Sequence, residues 1–525
     1  MNARSTKWAF LAAGLALALA ACGTLEPNSA FTSAGAAAGG QGSSGAAYSA
    51  GAAGGSGGNV AVGSSGVGAG TGPAGAAGAT STASSGVGAS GGTGASTAGG
   101  GSGVGGSSGG VSGADFASDT GVTPTSILIG NVTGVSGALG PLAFGVTLTG
   151  LQMWVDAVNA QGGINGRKVV LDSCDDDQDA STNLACTETL IDDKIFAFLD
   201  NNSLSSAGSA HPEYEAHVPD LGFPLNNGYF KYPNMFSNEG EEYPRNGTEV
   251  GFNNQLENGP GVYKWFATER GISRGAYFYY DESASQQAGE AQAQDAAVEG
   301  IKDVYTGGGS QGENLAAPNF DEDVIAMKSM GSKAPQAIFD AMDVNGNQKL
   351  CESMDRYGFT VTAKVSTIEV WNQDLGTPAW SKPCRDSIYV TGGVVSYADS
   401  NLAPVAQYLA AYKAYGNNAL QSEWTLQAFG TGVMFADAVS SMGADVTRKG
   451  FIAWLDGLPN TPPTYTAHGF FVPLGFTVYN PATPEPDCTT IAQWQDAEDT
   501  FVTRAPATTC YMDAQIPTAA TPDGS

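Results

Sequence analysis

The acidic stretch DSCDDDQDAS, residues 172–181, holds five aspartates and one cysteine. Clustered carboxylates are typical calcium ligands, and a calcium loop of the helix-loop-helix type needs a glycine at its sixth position and a glutamate at its twelfth. Counted from Asp175, those positions hold Ala180 and Cys186. The aspartates lie between the apolar runs VVLDSC and STNLAC, which predicts a strand-to-helix turn where a helix N-terminus favours negative charge. A calcium site is the alternative.

The cysteines point to disulfides. Apart from Cys22, six cysteines remain of the seven in the chain, an even number that suits an oxidising compartment. Several pairings are possible, and we take proximity along the chain as our hypothesis. The alternative, a zinc site, is disfavoured because the chain has no C-x-x-C spacing and only three histidines. The expected pairs are Cys174 with Cys186, Cys351 with Cys384, and Cys488 with Cys510.

Motifs for catalysis are absent from the sequence. His211, His217 and His468 lie far along the chain from any nucleophile motif, and there is no G-x-S-x-G turn. The sequence also lacks a phosphate loop ending in G-K-[ST] and an H-E-x-x-H zinc motif. We therefore expect a binding protein without enzyme activity, cofactor or metal.

Strand and helix patterns alternate from about residue 119 onward. The run SILIGNV is apolar and β-branched, as in a buried strand. The following run LTGLQMWVDAVNAQGG places Leu148, Leu151 and Val155 on one helical face. Two further strands, KVVLDSC and KIFAFLDN, enclose the helix STNLACTETLIDD, and a similar alternation restarts at RGAYFYYD. About 400 residues with this pattern exceed one core, so two α/β lobes are expected.

The N-terminus predicts export and lipid anchoring. Arg4 and Lys7 precede an apolar run, residues 8–21, that is shorter than a membrane span. The run ends in Leu-Ala-Ala-Cys, which resembles a bacterial lipobox, so residues 1–21 are expected to be a lipoprotein signal peptide and Cys22 the lipidated residue. The alternative is a plain secretory signal followed by a chance cysteine.

The segment from Cys22 to residue 118 is dominated by Gly, Ala, Ser and Thr. Such a composition offers too few large apolar side chains to offset chain entropy, so we expect a disordered tether. The formal net charge of the whole chain is −29. A surface this acidic argues against nucleic acid and anionic lipid as partners.

The stretch NAQGGINGRKVVLDSCDDDQDAS, followed by DDKIFAFLDNNSLSSAG, resembles the type I periplasmic binding proteins of the branched-chain amino acid and amide class. These are solute-binding lipoproteins of ABC importers. The resemblance implies two lobes, each a mainly parallel sheet flanked by helices, joined by three crossings. Lobe 1 would comprise residues 119–251 and 386–468, and lobe 2 residues 252–385 and 469–525.

The same resemblance implies a ligand in the cleft, beyond the carboxyl ends of the strands. Lobe 2 would offer Asp340, Asp343 and Glu369, the last where amino-acid-binding relatives place an acid that pairs with the ligand's ammonium group. Serines and amides in lobe 1 would suit a carboxylate, although each serine could equally cap a helix. Ser283, Ser285 and Gln286 are weaker candidates. The lobe 1 candidates are Ser136, Gly137, Ser203, Ser205, Ser206, Asn226 and Asn227.

The expected function is capture of a small polar solute, an amino acid or a related amide or acid, for the permease subunits of an ABC importer. The protein would be a monomer outside the cytoplasm, held to a bacterial membrane only by its lipid. A ligand-sensing receptor subunit of the same fold and a structural or adhesive surface lipoprotein are the alternatives.

Overall fold

The computed structural model describes residues 120–519 except 138, 241–242, 461, 479–483 and 514–515. The expected signal peptide, lipidated Cys22 and tether lie outside the described residues. All described residues belong to one compact unit of the chain. Among the helices that the structure describes, none has the length and apolarity of a membrane span.

The described strands form two large sheets and two small ones. In chain order they are β1 (Ser126–Thr133), β2 (Lys168–Asp175), β3 (Ala197–Leu199), β4 (Asp220–Gly222), β5 (Met235–Ser237), β6 (Gln255–Asn258), β7 (Arg274–Tyr279), β8 (Lys302–Thr306), β9 (Ala337–Ala341), β10 (Ala363–Ser366), β11 (Ile388–Gly392), β12 (Glu485–Cys488), β13 (Thr490–Gln495), β14 (Thr500–Ala505), β15 (Cys510–Asp513) and β16 (Ile516–Ala519).

The first large sheet is parallel throughout, in the order β2-β1-β3-β4-β5. Its strand β1, between β2 and β3, is the predicted run SILIGNV, and Ile127 and Ile129 are fully buried because helices cover the sheet. The second large sheet has the order β14-β13-β11-β10-β9-β7-β8. Its strands are parallel except β13, which is antiparallel to both of its neighbours, β11 and β14. The expected mainly parallel α/β fold is confirmed.

The helices flank these sheets. They are α1 (Gly145–Ala160), α2 (Ala180–Asp192), α3 (Ala210–Glu215), α4 (Gly261–Glu269), α5 (Ser283–Val298), α6 (Asp321–Ser329), α7 (Val344–Tyr357), α8 (Lys382–Arg385), α9 (Ala403–Tyr415), α10 (Glu423–Met442) and α11 (Arg448–Asp456).

Helices α1 and α10 pack unusually closely. A Cβ atom on Gly150 would lie 2.2 Å from the carbonyl oxygen of Thr425, and one on Gly432 would lie 2.1 Å from the Trp154 ring. Only glycine fits both positions, because protein interiors leave no spare volume at such distances. The contact ties the late helix α10 to the first sheet.

Strand β11 differs from the expected lobe division. It pairs with β10 and β13, so residues 388–392 belong to the second sheet, whereas the division expected from the sequence placed them in lobe 1. The chain leaves the second sheet after Gly392, and Val394 then bridges to Phe471. The exact division of the chain between the lobes stays a prediction.

The acidic stretch is the predicted strand-to-helix turn. The Asp179 side chain caps α2 by accepting a hydrogen bond from the Thr182 amide at 2.9 Å. Asp175 accepts hydrogen bonds from the Ser136 amide and hydroxyl, the latter at 2.6 Å, and so ties β2 to the loop after β1. No group of metal-binding side chains is present among the residues that the structure describes.

Three disulfides are present, and they are the pairs expected from proximity along the chain. Cys174–Cys186 joins the end of β2 to α2, and Cys351–Cys384 joins α7 to α8. The third, Cys488–Cys510, joins the two strands of the small sheet β12-β15. Each bond therefore ties together elements that are already adjacent.

Candidate ligand-binding cavity

A cavity of about 390 Å³ is formed by loops that follow strands of both large sheets. The loops after β4 and β5 contribute residues 223–227 and 237, 239, 240 and 243. The loops after β7, β9 and β10 contribute residues 280, 342–343 and 367–369. The carboxyl ends of parallel strands are where open α/β sheets bind ligands. The volume lies within the range of roughly 300–1,000 Å³ that is usual for small-molecule sites.

Much of the cavity wall is apolar. Phe223 and Met342 contribute from opposite sheets, and Ala284, Ala288 and Ala291 line the cavity from α5. Their spacing of four and three residues places these alanines on one face of the helix. Since alanine is short, this face leaves room for the hydrocarbon part of a ligand.

The charged side chains of the cavity are all acidic. Glu239, Glu257, Asp343 and Glu369 line it, and none of the lining residues that the structure describes is Lys, Arg or His. Burial raises the pKa of Glu257. An uncompensated group of carboxyls in a partly enclosed space favours a cationic partner.

Glu369 lies in the turn after β10. The turn is held by Asn372, whose side-chain amide donates to the Glu369 carbonyl at 2.9 Å. The Glu369 Oε2 atom is buried and has no hydrogen-bond partner among the described residues. Burial, together with the negative charges of Asp340, Asp343 and Glu239, raises its pKa to about 8.

Glu239 follows β5, on the side of the first sheet. Its carboxyl accepts one long hydrogen bond, 3.4 Å, from the Gln427 side chain of α10. Burial raises its pKa to about 7. This residue was not among the candidates from the sequence. Strand β5 is only three residues long, and so short a run has too little periodicity to be recognised as a strand. Without that strand, the glutamate is indistinguishable from an exposed loop acid.

Asp343 lines the cavity, but its carboxylate already accepts several hydrogen bonds within the protein. It caps α7 by accepting hydrogen bonds from the amides of Asn345 and Gly346, and the Tyr280 hydroxyl donates to it at 2.5 Å. The Asn345 side chain also donates to the carbonyl of Leu139, in the loop after β1, at 2.9 Å. This last bond links the two large sheets at the edge of the cavity.

Asp340, a candidate from the sequence, does not line the cavity. It is fully buried in β9, and its Oδ2 atom pairs with Lys364 Nζ of β10 at 2.8 Å. Asn347 of α7 donates to its other oxygen at 2.8 Å. Asp340 therefore has internal partners and lies outside the cavity lining, and its role as a ligand contact stays a prediction.

Some of the lobe 1 candidates line the cavity and others do not. Asn226 and Asn227 line it. Ser285, a weaker candidate outside lobe 1, lines it as well. Gly137, Ser205, Ser283 and Gln286 are not among the lining residues, and neither are Ser136, Ser203 and Ser206.

The three serines Ser136, Ser203 and Ser206 have other partners. Ser136 donates to Asp175, and Ser203 Oγ accepts from the Ser205 amide at 3.0 Å. Ser206 accepts from the Asn226 side chain at 3.0 Å, so it positions that amide rather than a ligand. These serines shape the loops, and their role as ligand contacts stays a prediction.

Comparison with known proteins places this geometry in a family. The periplasmic binding protein profile matches residues 126–499. No curated protein matches the sequence. The fatty acid ABC transporter substrate-binding protein from Thermomonospora curvata is 15% identical, with a TM-score of 0.56 over 75% of this chain and 94% of that one.

Two other solved structures are similar in the same way. The branched-chain amino acid transporter substrate binding protein LivJ from Streptococcus pneumoniae, in complex with isoleucine, is 16% identical, with a TM-score of 0.53 over 72% of this chain and 100% of that one. A solute binding protein of an ABC transporter from R. palustris, in complex with benzoate, is 15% identical, with a TM-score of 0.53 over 74% and 98%. At these identities the likeness shows the two-lobed fold alone. By the match of its sequence over residues 126–499, the chain belongs to the periplasmic binding protein family.

Proposed function

We propose that the chain is the solute-binding subunit of an ABC importer, and that the cavity between the two large sheets holds the solute. Family membership supports this proposal. The three similar structures are each named as binding proteins of transporters, two of them of ABC transporters. The cavity lies where the family's architecture brings two sheets together. Its lining contains no histidine or cysteine among the described residues, which favours binding over catalysis.

The two lobes would hinge over the solute. In this proposal lobe 1 carries the first sheet with α1 and α10, and lobe 2 carries the second sheet with α5 and α7. The hydrogen bond from Asn345 to Leu139 would form part of the closed contact. Hinge closure around a ligand is a common transition in two-lobed proteins.

The N-terminal part of the proposal is a lipid anchor at Cys22, motivated by the lipobox-like Leu-Ala-Ala-Cys. It would hold the binding domain at the outer side of a bacterial membrane. Replacement Cys22→Ser should move the protein from the membrane fraction to the soluble fraction. If the variant stays with the membrane, the anchor proposal is wrong.

The single observation that carries the ligand-binding proposal is the buried, unpartnered Oε2 atom of Glu369 at the cavity wall. A buried carboxyl without a partner is costly, and an ammonium group of a solute would supply one. We therefore propose a small solute that carries an amino group, such as an amino acid or a related amide. The Glu369 carboxyl would be its partner.

Thermal unfolding of the purified chain against a panel of amino acids, amides, amines and organic acids tests this function. A solute at 100 times its Kd should stabilise the chain by about 2.7 kcal/mol. Glu369→Ala should abolish the shift caused by amine-bearing solutes. Glu352→Ala, which removes an exposed carboxylate from α7, is the matched control and should retain the shift. A panel without any shift would contradict the proposal.

A further inference from the structure

We propose that the solute is an organic monocation with an apolar body and without a carboxylate, an alkyl or arylalkyl amine rather than an amino acid zwitterion. This inference rests on the proposed function, because it concerns the ligand of the same cavity. Four features of the cavity carry it: the sign of its charges, the occupation of the serines in its neighbouring loops, its apolar wall and the opposite origins of Glu239 and Glu369.

The first feature is the sign of the charge. Glu239, Glu257, Asp343 and Glu369 contribute carboxyls, and the described lining residues contribute no cationic side chain. Lys364, a buried lysine in β10 of the second large sheet, is already paired with Asp340. A ligand carboxylate would therefore find no cationic side chain among the described lining residues, and it would be repelled by each carboxyl that is ionised. A ligand cation would have several partners.

The second feature is that the serines expected to receive a ligand carboxylate in the first sheet's loops have partners of their own among the described residues. Ser136 binds Asp175 and Ser206 binds Asn226. The Oδ1 atom of Asn226 in turn accepts from the Gly228 amide at 2.8 Å. These polar groups stabilise the turns, so they are not aimed at a solute.

The third feature is the apolar part of the cavity wall. Ala284, Ala288 and Ala291 of α5, together with Phe223 and Met342, form a mainly hydrocarbon surface. Burial of a ligand's hydrocarbon against it would contribute roughly 25 cal/mol per Å² of apolar area. A small hydrophilic cation such as a metal ion would leave this wall unused.

The fourth feature is that two of the cavity carboxyls come from opposite sheets. Glu239 follows β5 of the first sheet and Glu369 follows β10 of the second, and both line the cavity. When both are ionised, their mutual repulsion would oppose closure of the lobes, and a cation between them would reverse it. Ligand charge would thus be coupled to closure.

Isothermal titration calorimetry of the full-length chain tests this inference with matched ligands. We expect 2-phenylethylamine to bind at least tenfold more tightly than phenylalanine, which adds only the carboxylate. Hexylamine should likewise bind more tightly than hexanol or hexanoate. Glu369→Gln and Glu239→Gln should each weaken amine binding at least tenfold, and Glu352→Gln should leave it unchanged. Circular dichroism would verify that each variant is folded.

The other outcomes separate this inference from the proposed function. If phenylalanine or hexanoate binds as tightly as the amines, the cation inference is wrong and the solute-binding function stands. Equal binding of amines by the wild type and by both glutamine variants would show that Glu239 and Glu369 are not the partners, which also overturns it. If no solute of any class binds, both proposals fail.

Discussion

At the residue scale, the burial of Glu369 influences ligand affinity because it changes the protonation state of the carboxyl. With a pKa of about 8, this carboxyl is mostly protonated at neutral pH, and Glu239, with a pKa of about 7, is partly protonated. An amine pairs best with the ionised forms. The proton must therefore leave as the cation binds, and the cost of its loss grows as the pH falls below the pKa.

We predict that affinity for 2-phenylethylamine rises between about pH 6 and about pH 8, by up to about tenfold per pH unit, and then levels off. Titrations in buffers of different ionisation enthalpy should detect proton release. Glu369→Gln should flatten the profile. An affinity independent of pH would contradict this role. The charged groups that face Glu369 or line its cavity are Glu239, Glu257, Asp340 and Asp343, with Lys364 bound to Asp340.

The sequence identified some of these residues and not others, for physical reasons. Glu369 and Asp343 could be expected at the cavity because both follow strands of a parallel sheet. Asp340 lies inside β9, and its partner Lys364 is 24 residues away along the chain; a sequence does not show which side chains meet across strands. For Ser136 the strand-end position was informative, whereas the direction of its hydroxyl depends on Asp175, 39 residues later.

At the element scale, strands β9 and β10 and helix α7 are joined by one buried polar cluster. Lys364 of β10 donates to Asp340 of β9 and also to the Asn347 side chain of α7. Ser366 donates to Asp340 at 2.7 Å. Burial lowers the pKa of Lys364, while the Asp340 charge opposes that shift. The cluster holds the turn with Glu369 in place, because that turn begins directly after Ser366.

We predict that Lys364→Met destabilises the chain by about 3–5 kcal/mol, since it leaves the Asp340 carboxylate buried without its ion partner. The double variant with Asp340→Asn should recover much of that loss, because the remaining groups are then neutral. Urea unfolding followed by circular dichroism measures both. Equal stability of the single variant and the wild type would show that the pair contributes nothing.

The elements themselves differ in how well the sequence predicts them. Long amphipathic or apolar runs such as α1 and β1 appear where the periodicity indicates. Short strands such as β4 and β5 owe their existence to parallel pairing with neighbours distant along the chain, so local pattern is a weak guide to them. The loops of the cavity follow those short strands, which is why the site was harder to predict than the fold.

At the scale of the whole molecule, the buried acids make stability depend on pH. Burial raises the pKa of Asp200 to about 7 and that of Asp295 to about 8, and it raises the pKa of Glu423 well above its usual range. These groups hold protons in the folded chain that the unfolded chain loses above about pH 4. Their stabilising contribution is therefore complete at low pH and is lost as the pH rises through about 7 to 8.

Other acids act in the opposite direction. Hydrogen bonds lower the pKa of Asp179, beginning with that from Ser181. Asp175 also has a lowered pKa: burial, the largest single effect, would raise it, but the hydrogen bonds from Ser136 and neighbouring amides together outweigh burial. Their contribution is lost only as the pH falls below about 4. The two sets together place maximum stability at mildly acidic pH, and the net charge of −29 at pH 7 adds self-repulsion as more acids ionise.

We predict that the Tm of the ligand-free chain is higher at about pH 5 than at about pH 8. As the pH rises, the folded chain must either keep protons that the unfolded chain releases or bury ionised carboxylates, and both lower its stability. Differential scanning calorimetry at both pH values measures the difference. Asp200→Asn is the matched variant, since an asparagine oxygen can still accept from Asn238 and Thr431 while carrying no proton to lose. It should reduce the difference in Tm. A chain equally stable at both pH values would contradict the buried-acid account, and it would equally remove the basis for the pH-dependent affinity of Glu369.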